Sequence, residues 1–341
     1  MKHVALVVGA VVGLLAVDRD ARAAEYQVTE KDDQINIVTP QLEAAVRKKG
    51  YVSGVAAQSF LDKKTGFRDP GFGLDIVDWI MEPGLDEAYR DKLNPELVYR
   101  FDKDFLLYHG HRAKRSIEGP QICTQARELK PEVIRGSDFV AVRQQYQYRT
   151  AAPGKKTGST WTQLLVFPVG KRYFVSMDRI DAVNSSDAMF LRVDMPGHLR
   201  HERGDTFSRI YLSYRGEIPS SEFFTDFPPD AKFNYRRDRD GVQERMIRAY
   251  QLRDPKTGKS GPWLGGMVLD PSVVSEAWCH QRGYVCMILE FGERPIKAGE
   301  SFSAAFVVGY FDSIEEMQQV YDQYKGHTRL DVSPQEWKLL K

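Results

Sequence analysis

The chain has 341 residues, of which 42% are hydrophobic and 28% charged, enough apolar material for one large core or two modest ones. This balance argues against a disordered chain and against a coiled coil. The formal net charge of +1 argues against a strongly basic polyanion-binding protein, so no nucleic-acid partner is expected.

The N-terminal segment has the pattern of a secretory signal. Lys2 precedes an apolar run of 14 residues, Val4 to Val17, and Ala21-Arg22-Ala23 supplies a small-residue cleavage site. Fourteen residues are too few to span a bilayer comfortably. We therefore expect a signal peptide at 1–23 and an exported mature chain at 24–341, a single β-sandwich domain that is periplasmic or secreted and has no membrane partner after cleavage. The charged "DRD" before the cleavage site leaves an uncleaved anchor as the alternative.

Strand patterns dominate the rest of the chain, separated by turns such as "APGKKTGS" and "DPKTGKSGP". Helical patterns are few: one near 85–93, and one that begins at Ser313 as N-cap and ends at Gly326. Long strands without βαβ alternation predict an all-β fold, a large antiparallel two-sheet β-supersandwich with a few short helices. The strand segments are "QINIV", "DFVAVRQQYQY", "TWTQLLVF", "RYFVSMDRI", "AMFLRVDM", "SRIYLSY", "YVCMILEF" and "FSAAFVVGYF".

Two of these segments alternate polar and apolar side chains. In "RIYLSYR", Arg209, Tyr211 and Arg215 share one face, and in "VRQQYQYR" Arg143 and Gln145 belong to a second polar row. Rows of Arg, Tyr and Gln on a broad sheet suit a concave sugar-binding face. An ordinary solvated face is the alternative for either strand alone.

Arginine is concentrated in the middle of the chain, where thirteen arginines and one lysine lie between residues 172 and 253. A guanidinium group can donate two parallel hydrogen bonds to a planar anion, whereas an ammonium group acts as a point charge. We therefore expect a ligand with carboxylate or sulfate groups, bound by Arg179, Arg209, Arg215 and Arg236. Internal ion pairs are the alternative, above all in "RRDRD" at 236–240.

Two segments resemble the galactose-mutarotase-like group of β-supersandwich proteins, which includes aldose epimerases and domains of polysaccharide lyases. "FLDKKTGFRDPGFG" at 60–73 looks like the early hairpin of such proteins, and "IKAGESFSAAFVVGYF" at 296–311 looks like their closing strand. The resemblance implies a two-sheet sandwich with a sugar-binding groove. It also implies a histidine and a glutamate as catalytic groups in an epimerase, or tyrosine with histidine or arginine in a lyase.

Histidines supply the candidate acid–base groups. "DMPGHLRHERGDTF" places His198 and His201 after a Pro-Gly turn, on a loop where functional residues concentrate. His280, in "EAWCHQRGY", shares a face with Glu276 and Trp278 if that segment is extended. Structural hydrogen bonding is the alternative for the histidines. Trp278 is either a platform for a sugar ring or an ordinary core tryptophan.

Metal and hydrolase chemistry have less support. The histidine spacing lacks the H-E-x-x-H helix of zinc enzymes, so no metal or other cofactor is predicted. His109 and His111 could complete a four-histidine cation site if the loops met. Asp75, Asp78 and Glu82 could include a glycosidase carboxylate pair.

Three cysteines, Cys123, Cys279 and Cys286, follow the signal segment. Their odd number forbids a complete disulfide framework. Export would permit Cys279 and Cys286 to pair across a bend, and buried free thiols are the other outcome.

Together these features favour an exported polysaccharide lyase that cleaves a uronic-acid-containing glycan by β-elimination. That reaction removes the C5 proton of a uronate and expels the 4-O substituent, which needs a carboxylate neutraliser, a base and an acid. His198, His201 or His280 would be the base, Tyr211 the acid, and the arginines the clamps on an acidic polysaccharide or oligosaccharide. The alternatives are a mutarotase-like sugar epimerase and a non-catalytic carbohydrate-binding or envelope protein.

Overall fold

The computed structural model describes residues 25–51, 54–84, 114–119, 122, 128–229 and 231–341. Several predictions fall outside these ranges: the signal peptide at 1–23, the short helix at 85–93, His109, His111 and Cys123.

Strands make up most of the described chain. The first twelve are β1 (Gln27–Glu30), β2 (Gln34–Val38), β3 (Leu42–Arg47), β4 (Val55–Ala56), β5 (Leu61–Asp62), β6 (Gly73–Pro83), β7 (Lys114–Gly119), β8 (Glu132–Arg135), β9 (Phe139–Gln147), β10 (Thr150–Ala151), β11 (Thr160–Pro168) and β12 (Tyr173–Asp181). The next twelve are β13 (Ser186–Gly197), β14 (Leu199–Arg200), β15 (Phe207–Leu212), β16 (Gly216–Pro219), β17 (Tyr235–Arg236), β18 (Met246–Arg253), β19 (Ser260–Val268), β20 (Val274–Gln281), β21 (Tyr284–Ile296), β22 (Ser301–Phe311), β23 (Arg329–Val332) and β24 (Trp337–Leu340). The same ranges contain the α-helices α1 (Arg237–Asp240) and α2 (Ile314–Tyr324), with 3-10 turns at Ser220–Phe223 and Pro271–Val273.

Two nine-stranded antiparallel sheets dominate the fold. The front sheet runs β10-β7-β6-β13-β21-β20-β17, with β14 paired to β21 and β4 paired to β6. The back sheet runs β16-β15-β18-β19-β22-β12-β11-β9-β8. A four-stranded sheet, β1-β2-β3-β5, and the hairpin β23–β24 account for the other described strands.

The main core lies between the two large sheets. Leu191 and Val193 on β13, together with Leu264 and Val308 on the back sheet, belong to one continuous cluster of buried apolar side chains. Because side chains alternate along a strand, the intervening residues of the back sheet point the other way. Those residues, Val307 among them, form a second apolar cluster.

Helix α2 and the hairpin β23–β24 contribute to this second cluster. The helix does so through Met317 and Tyr321, and the hairpin through Leu330. At the start of the helix, the Ser313 Oγ accepts a hydrogen bond from the Glu316 backbone N–H at 3.2 Å, which satisfies a donor that the helix itself leaves open. The helix predicted from Ser313 to Gly326 is therefore confirmed.

The all-β antiparallel sandwich is confirmed. Each of the eight predicted strand segments overlaps a described strand, and the alternation predicted for "RIYLSYR" and "VRQQYQYR" places Ile210 and Val142 in the core. Trp161 and Trp263 are core aromatics rather than exposed platforms. None of the helices in the described ranges is both long and apolar enough to cross a bilayer.

Cys279 and Cys286 are free, buried thiols. On adjacent strands Cys279 lies opposite Met287, whereas Cys286 lies opposite His280, one residue along β20. Since directly opposed residues share a face and sequential residues alternate, the two thiols project from opposite faces of the front sheet. They cannot pair in this arrangement.

Two carboxyl groups meet in the core between the sheets. Asp178 on β12 accepts hydrogen bonds from Trp161 Nε1 at 2.8 Å and from Gln163 Nε2 at 3.2 Å, and its carboxyl interacts electrostatically with that of Asp75 on β6. Burial raises the pKa of both groups, and the Asp75 carboxyl raises that of Asp178 further. Two like-charged carboxylates in contact are costly, so the pair holds a proton when the protein is folded.

This proton links stability to pH. The pKa of both groups lies above the unfolded value, so the folded protein binds more protons, and the contribution of the pair to stability is full at low pH and is lost as pH rises toward the folded pKa values. Asp75→Asn supplies an amide donor instead of the proton, and asparagine tolerates the left-handed backbone found there (φ 57°). We expect Asp75→Asn to raise the free energy of unfolding at pH 8 by about 1–3 kcal/mol, the usual cost of a buried polar group without a partner, and to change it little at pH 4.

Urea denaturation at the two pH values measures this difference. Asp181→Asn is the matched control, because Asp181 is a surface carboxylate that is 46% exposed and paired with Arg179. An Asp75→Asn protein with the same pH dependence as wild type would show that no proton is shared.

Candidate active site

The outward face of the front sheet carries a concentration of buried polar side chains. Alternation along β20 points Glu276, Trp278 and His280 outward, while Ala277 and Cys279 belong to the main core. The face that the sequence predicted for these three residues is confirmed. All three are at most 2% exposed.

Neighbouring strands add further groups to this face. On β13 and β21, Arg192 lies opposite Glu290, and Cys286 lies opposite His280 on β20. Directly opposed side chains on an antiparallel pair lie within contact distance. The outward face therefore brings together residues that are almost 100 positions apart in sequence.

Lys114 on β7 joins the two carboxylates of this face. Its Nζ donates to Glu276 Oε2 at 2.5 Å and to Glu290 Oε2 at 2.6 Å, and Arg192 donates to Glu290 Oε1 through Nε at 2.9 Å and Nη2 at 2.7 Å. Both cations also lie over the Trp278 ring, with Lys114 Nζ 4.8 Å and Arg192 Cζ 5.4 Å from its centroid. Two cations and two carboxylates balance, which is what makes their removal from water tolerable.

His198 lies at the more open end of the same face. Its Nε2 is 3.1 Å from Asp194 Oδ2, and its side chain is 14% exposed. The rings of Phe72 and Tyr284 pack edge-on against the imidazole, with centroids 5.8 Å and 5.3 Å away. Burial lowers the pKa of His198, but the Asp194 carboxylate more than offsets this, with help from Cys286, so the pKa lies well above its usual value.

Two glycines allow the backbone around His198 to pack tightly. A Cβ at Gly71 would lie 2.0 Å from the His198 carbonyl oxygen, and one at Gly197 would lie 2.1 Å from the Gly73 carbonyl oxygen. A side chain at either position would push the backbone segments apart. The glycines of "DPGFG" and "PGH" therefore let the backbone at His198 lie directly against the segment that leads into β6.

His280 has the opposite electrostatic environment. It is 1% exposed. Burial lowers its pKa, and the positive charges of His198, Arg282 and Arg192 lower it further, so the pKa lies well below its usual value. The face thus holds one imidazole that favours the charged form and one that favours the neutral form.

Arg236 is the predicted arginine that shares this face. It lies on β17, directly opposite Glu276 on β20, so the two side chains point the same way. Its Nε is 3.8 Å from Asp238 Oδ1, consistent with the internal pairing considered for 236–240. His198, His280, Trp278 and Arg236 therefore lie on the same face of the front sheet, with Arg236 at the Glu276 end of β20 and away from His280.

His201 is close to this group in sequence, but its ring is held by hydrogen bonds to its own loop and to the end of β20. Its Nδ1 accepts the Gly204 backbone N–H at 2.9 Å, and its Nε2 is hydrogen-bonded to Gln281 Oε1 at 2.8 Å. Both ring nitrogens therefore have structural partners, which fits the alternative of structural hydrogen bonding.

Tyr211 and Arg209 correct the prediction of one shared groove. They project from β15 on the outward face of the back sheet, away from the histidines. The Tyr211 ring lies 6.4 Å from that of Trp263 in the second apolar cluster, and Arg209 Nη1 donates to Glu217 Oε2 at 2.6 Å. The strand alternation was right, but alternation does not reveal to which sheet a strand belongs.

The other two predicted clamps also lie elsewhere. Arg215 is exposed in the turn between β15 and β16. Arg179, on β12 of the back sheet, donates to Asp181 Oδ1 at 2.6 Å. The expectation that these arginines surround the histidines is therefore wrong.

Two of the three carboxylates considered for a hydrolase, Asp75 and Glu82, interact with other side chains. Asp75 lies between the sheets with Asp178, where burial raises its pKa. Glu82 pairs with Arg115 and, at 2.8 Å, with Lys155. Within the described ranges, no cluster of three or more His, Cys, Asp or Glu side chains is arranged to hold a metal ion.

Lys114, Arg192, Asp194 and Glu290 were not among the predicted site residues. Arg192 and Asp194 had a detectable signal, because they alternate with Leu191, Val193 and Met195 in "FLRVDM" and so mark a charged face on an otherwise apolar strand. Nothing local marks Lys114, whose partners lie 162 and 176 residues away.

No family model and no curated protein matches the chain. Solved structures with a similar fold include a putative aldose 1-epimerase from Klebsiella pneumoniae, 11% identical over 89% of this chain and 88% of that one, with a TM-score of 0.40. A galactose mutarotase-like protein from Clostridium acetobutylicum is 10% identical, with 84% and 98% covered and a TM-score of 0.41. Galactose 1-epimerase from Lactobacillus acidophilus is 8% identical, with the same coverage and a TM-score of 0.40.

These structural neighbours are of the galactose-mutarotase-like type, the group that residues 60–73 and 296–311 resemble. With identities of 8–11% and TM-scores of 0.40–0.41, the likeness does not extend to a substrate.

The ion-pair network predicts a specific stability loss. Lys114→Met removes one cation and leaves Glu276 and Glu290 facing each other in a buried site, so we expect the free energy of unfolding to fall by about 3–5 kcal/mol. Lys338→Met is the control, since its pair with Glu336 is half exposed and is worth about 0–1 kcal/mol. Chemical denaturation of both variants measures the contrast, and equal small losses would contradict the proposed role of Lys114.

Proposed function

We propose that the outward face of the front sheet binds a sugar and catalyses its 1-epimerisation, with His198 as general acid and His280 as general base. The supporting observation is the pair of imidazoles on one sheet face whose environments push their pKa values in opposite directions. Such divergence is how one site holds an acid and a base at the same pH.

The reaction needs no charge on the substrate. His280 accepts the proton of the anomeric hydroxyl while the His198 imidazolium donates a proton to the ring oxygen, and the C1–O5 bond breaks to give the open-chain aldehyde. Rotation about C1–C2 presents the other face of the carbonyl. The ring oxygen then attacks C1 as both protons return, which yields the other anomer and restores both histidines.

Polar atoms on the face support a hydroxyl-rich ligand. Among the described residues, Trp278 Nε1 and Asp194 Oδ1 are buried and have no hydrogen-bond partner. Buried polar atoms normally have a hydrogen-bond partner, so this donor and this acceptor could bind hydroxyl groups of a ligand. Lys114 and Arg192 lie over the Trp278 ring, so the indole supports this site through its N–H rather than as a stacking platform.

The uronate lyase is the second candidate. One observation favours it: Arg236 shares the face with the histidines and could neutralise a substrate carboxylate. Against it, Lys114 and Arg192 are each paired with Glu290 or Glu276, and Arg179, Arg209 and Arg215 lie away from the face. The epimerase requires only the acid and base that the face contains.

The proposal also includes export to the periplasm or outside the cell and a single domain at 24–341. It includes a carbohydrate partner and no cofactor. N-terminal sequencing of the protein recovered from its host tests the cleavage after residue 23. A mature chain beginning near Ala24 is expected, and an intact N-terminus would favour the anchor.

The proposed acid and base predict the effect of two substitutions. NMR exchange spectroscopy on a panel of aldoses should show anomer exchange faster than the buffer rate, and His198→Asn and His280→Gln should each slow it by about 10²–10⁴-fold. His327→Asn is the matched control, because His327 binds the Tyr324 carbonyl away from the face and should leave the rate unchanged. If the protein does not speed anomer exchange but raises ultraviolet absorbance on uronate glycans, the lyase is correct and the epimerase is wrong. If neither assay shows activity, both enzymatic proposals are wrong and a carbohydrate-binding protein remains.

The pH profile carries a separate prediction. Activity needs neutral His280 and protonated His198, so the acid limb should lie below the ordinary histidine pKa of about 6.5 and the alkaline limb above it. Asp194→Asn removes the charge that raises the pKa of His198 and should shift only the alkaline limb, toward lower pH. A shift of the acid limb instead would reverse the two roles.

A further inference from the structure

A second site lies apart from the outward face of the front sheet that carries His198 and His280, which we call the histidine face. A cleft of about 630 Å³ opens where the ends of β12 and β22 meet the end of β21, the start of β23 and the 3-10 turn at Pro271–Val273. None of the residues of the histidine face lines it. The arginines and hydroxyl residues that line it are Arg179, Arg237, Arg294, Arg329, Ser272, Ser301, Ser303 and Thr328.

The positive charge of this cleft is largely uncompensated. Arg179 pairs with Asp181, but within the described ranges no carboxylate lies in salt-bridge distance of Arg237, Arg294 or Arg329. Among the described residues, no carboxylate lines the cleft. Three guanidinium groups therefore face a common space with their charge unpaired, which favours entry of an anion.

Backbone carbonyls position two of these arginines without neutralising them. Arg237 Nη1 donates to the Ser272 carbonyl oxygen at 2.8 Å, and Arg294 Nη2 donates to the Ser301 carbonyl oxygen at 3.3 Å. Each guanidinium has five N–H donors, so most of them remain available. A fixed fork loses less freedom when it binds a planar oxyanion.

We propose that this cleft binds a small polyanion that carries at least two oxyanion groups, either phosphate, sulfate or carboxylate. Guanidinium forks would hold the anionic oxygens, and the serine and threonine hydroxyls would donate further hydrogen bonds. The volume lies in the range of ordinary small-molecule pockets. This site does not depend on the proposed function of the histidine face. Two of its four arginines, Arg179 and Arg237, come from the arginine-rich stretch at 172–253.

The test is calorimetric titration of the purified chain with pyrophosphate, citrate and a disulfated disaccharide as probes, and with glucose as the uncharged control. At least one probe should bind, with an affinity that falls as salt is added. Any heat that glucose gives at the sugar-binding face should be the same in the double variant described below, because the cleft recognises charge. The tightest of the three probes identifies which oxyanion the cleft prefers.

The double variant Arg294→Gln/Arg329→Gln should weaken probe binding at least about tenfold, the equivalent of losing one charge-assisted contact. Both side chains are exposed, so the fold should persist. The single variant Arg329→Gln should also weaken probe binding, by less than the double variant. Arg215→Gln, an exposed arginine outside the cleft, should bind the probe as wild type does. Failure of all three probes to bind, or equal affinity in the double variant, would overturn the proposal.

Discussion

The Lys114 ammonium holds together a set of charges that would otherwise not be tolerated on a buried sheet surface. Glu276 and Glu290 lie on adjacent strands and would repel each other without it. Arg192 supplies the second positive charge and completes a neutral set of four. An ion pair removed from water is stable only if its partners are complete, so each member depends on the other three.

This balanced network sets the electrostatic field in which the histidines titrate. Arg192 contributes to the low pKa of His280, whereas Asp194, two residues further along β13, raises that of His198. Burial lowers the pKa of both imidazoles, so it adds to the effect of the cations on His280 and is more than offset by Asp194 at His198. Burial, together with the charges on one sheet face, can therefore hold two imidazoles in opposite protonation states.

The two candidate sites use different physics. The histidine face is buried and its network of charges is balanced, which suits proton transfer to a neutral substrate. The arginine cleft is open and donor-rich, which suits capture of an anion. The sandwich keeps them apart, since one belongs to the outward face of the front sheet and the other to the region where strand ends of both sheets meet.

Much of the fold could be predicted from local patterns, since period-two alternation and the Ser313 cap depend only on neighbouring residues. The same local rule correctly placed Glu276, Trp278 and His280 on one face. It could not reveal that β15, which carries Tyr211 and Arg209, belongs to the other sheet. Nor could it reveal pairs such as Arg192 with Glu290, because long-range strand pairing is set by the packing of the whole sandwich.

The most direct test is a pH titration of the histidine ring nitrogens by NMR in isotope-labelled protein, with signals assigned by His198→Asn and His280→Gln. Near neutral pH, His198 should give the spectrum of an imidazolium and His280 that of a neutral ring. If both instead titrate together near the ordinary histidine pKa of about 6.5, the face does not separate an acid from a base and the proposed catalysis has no foundation.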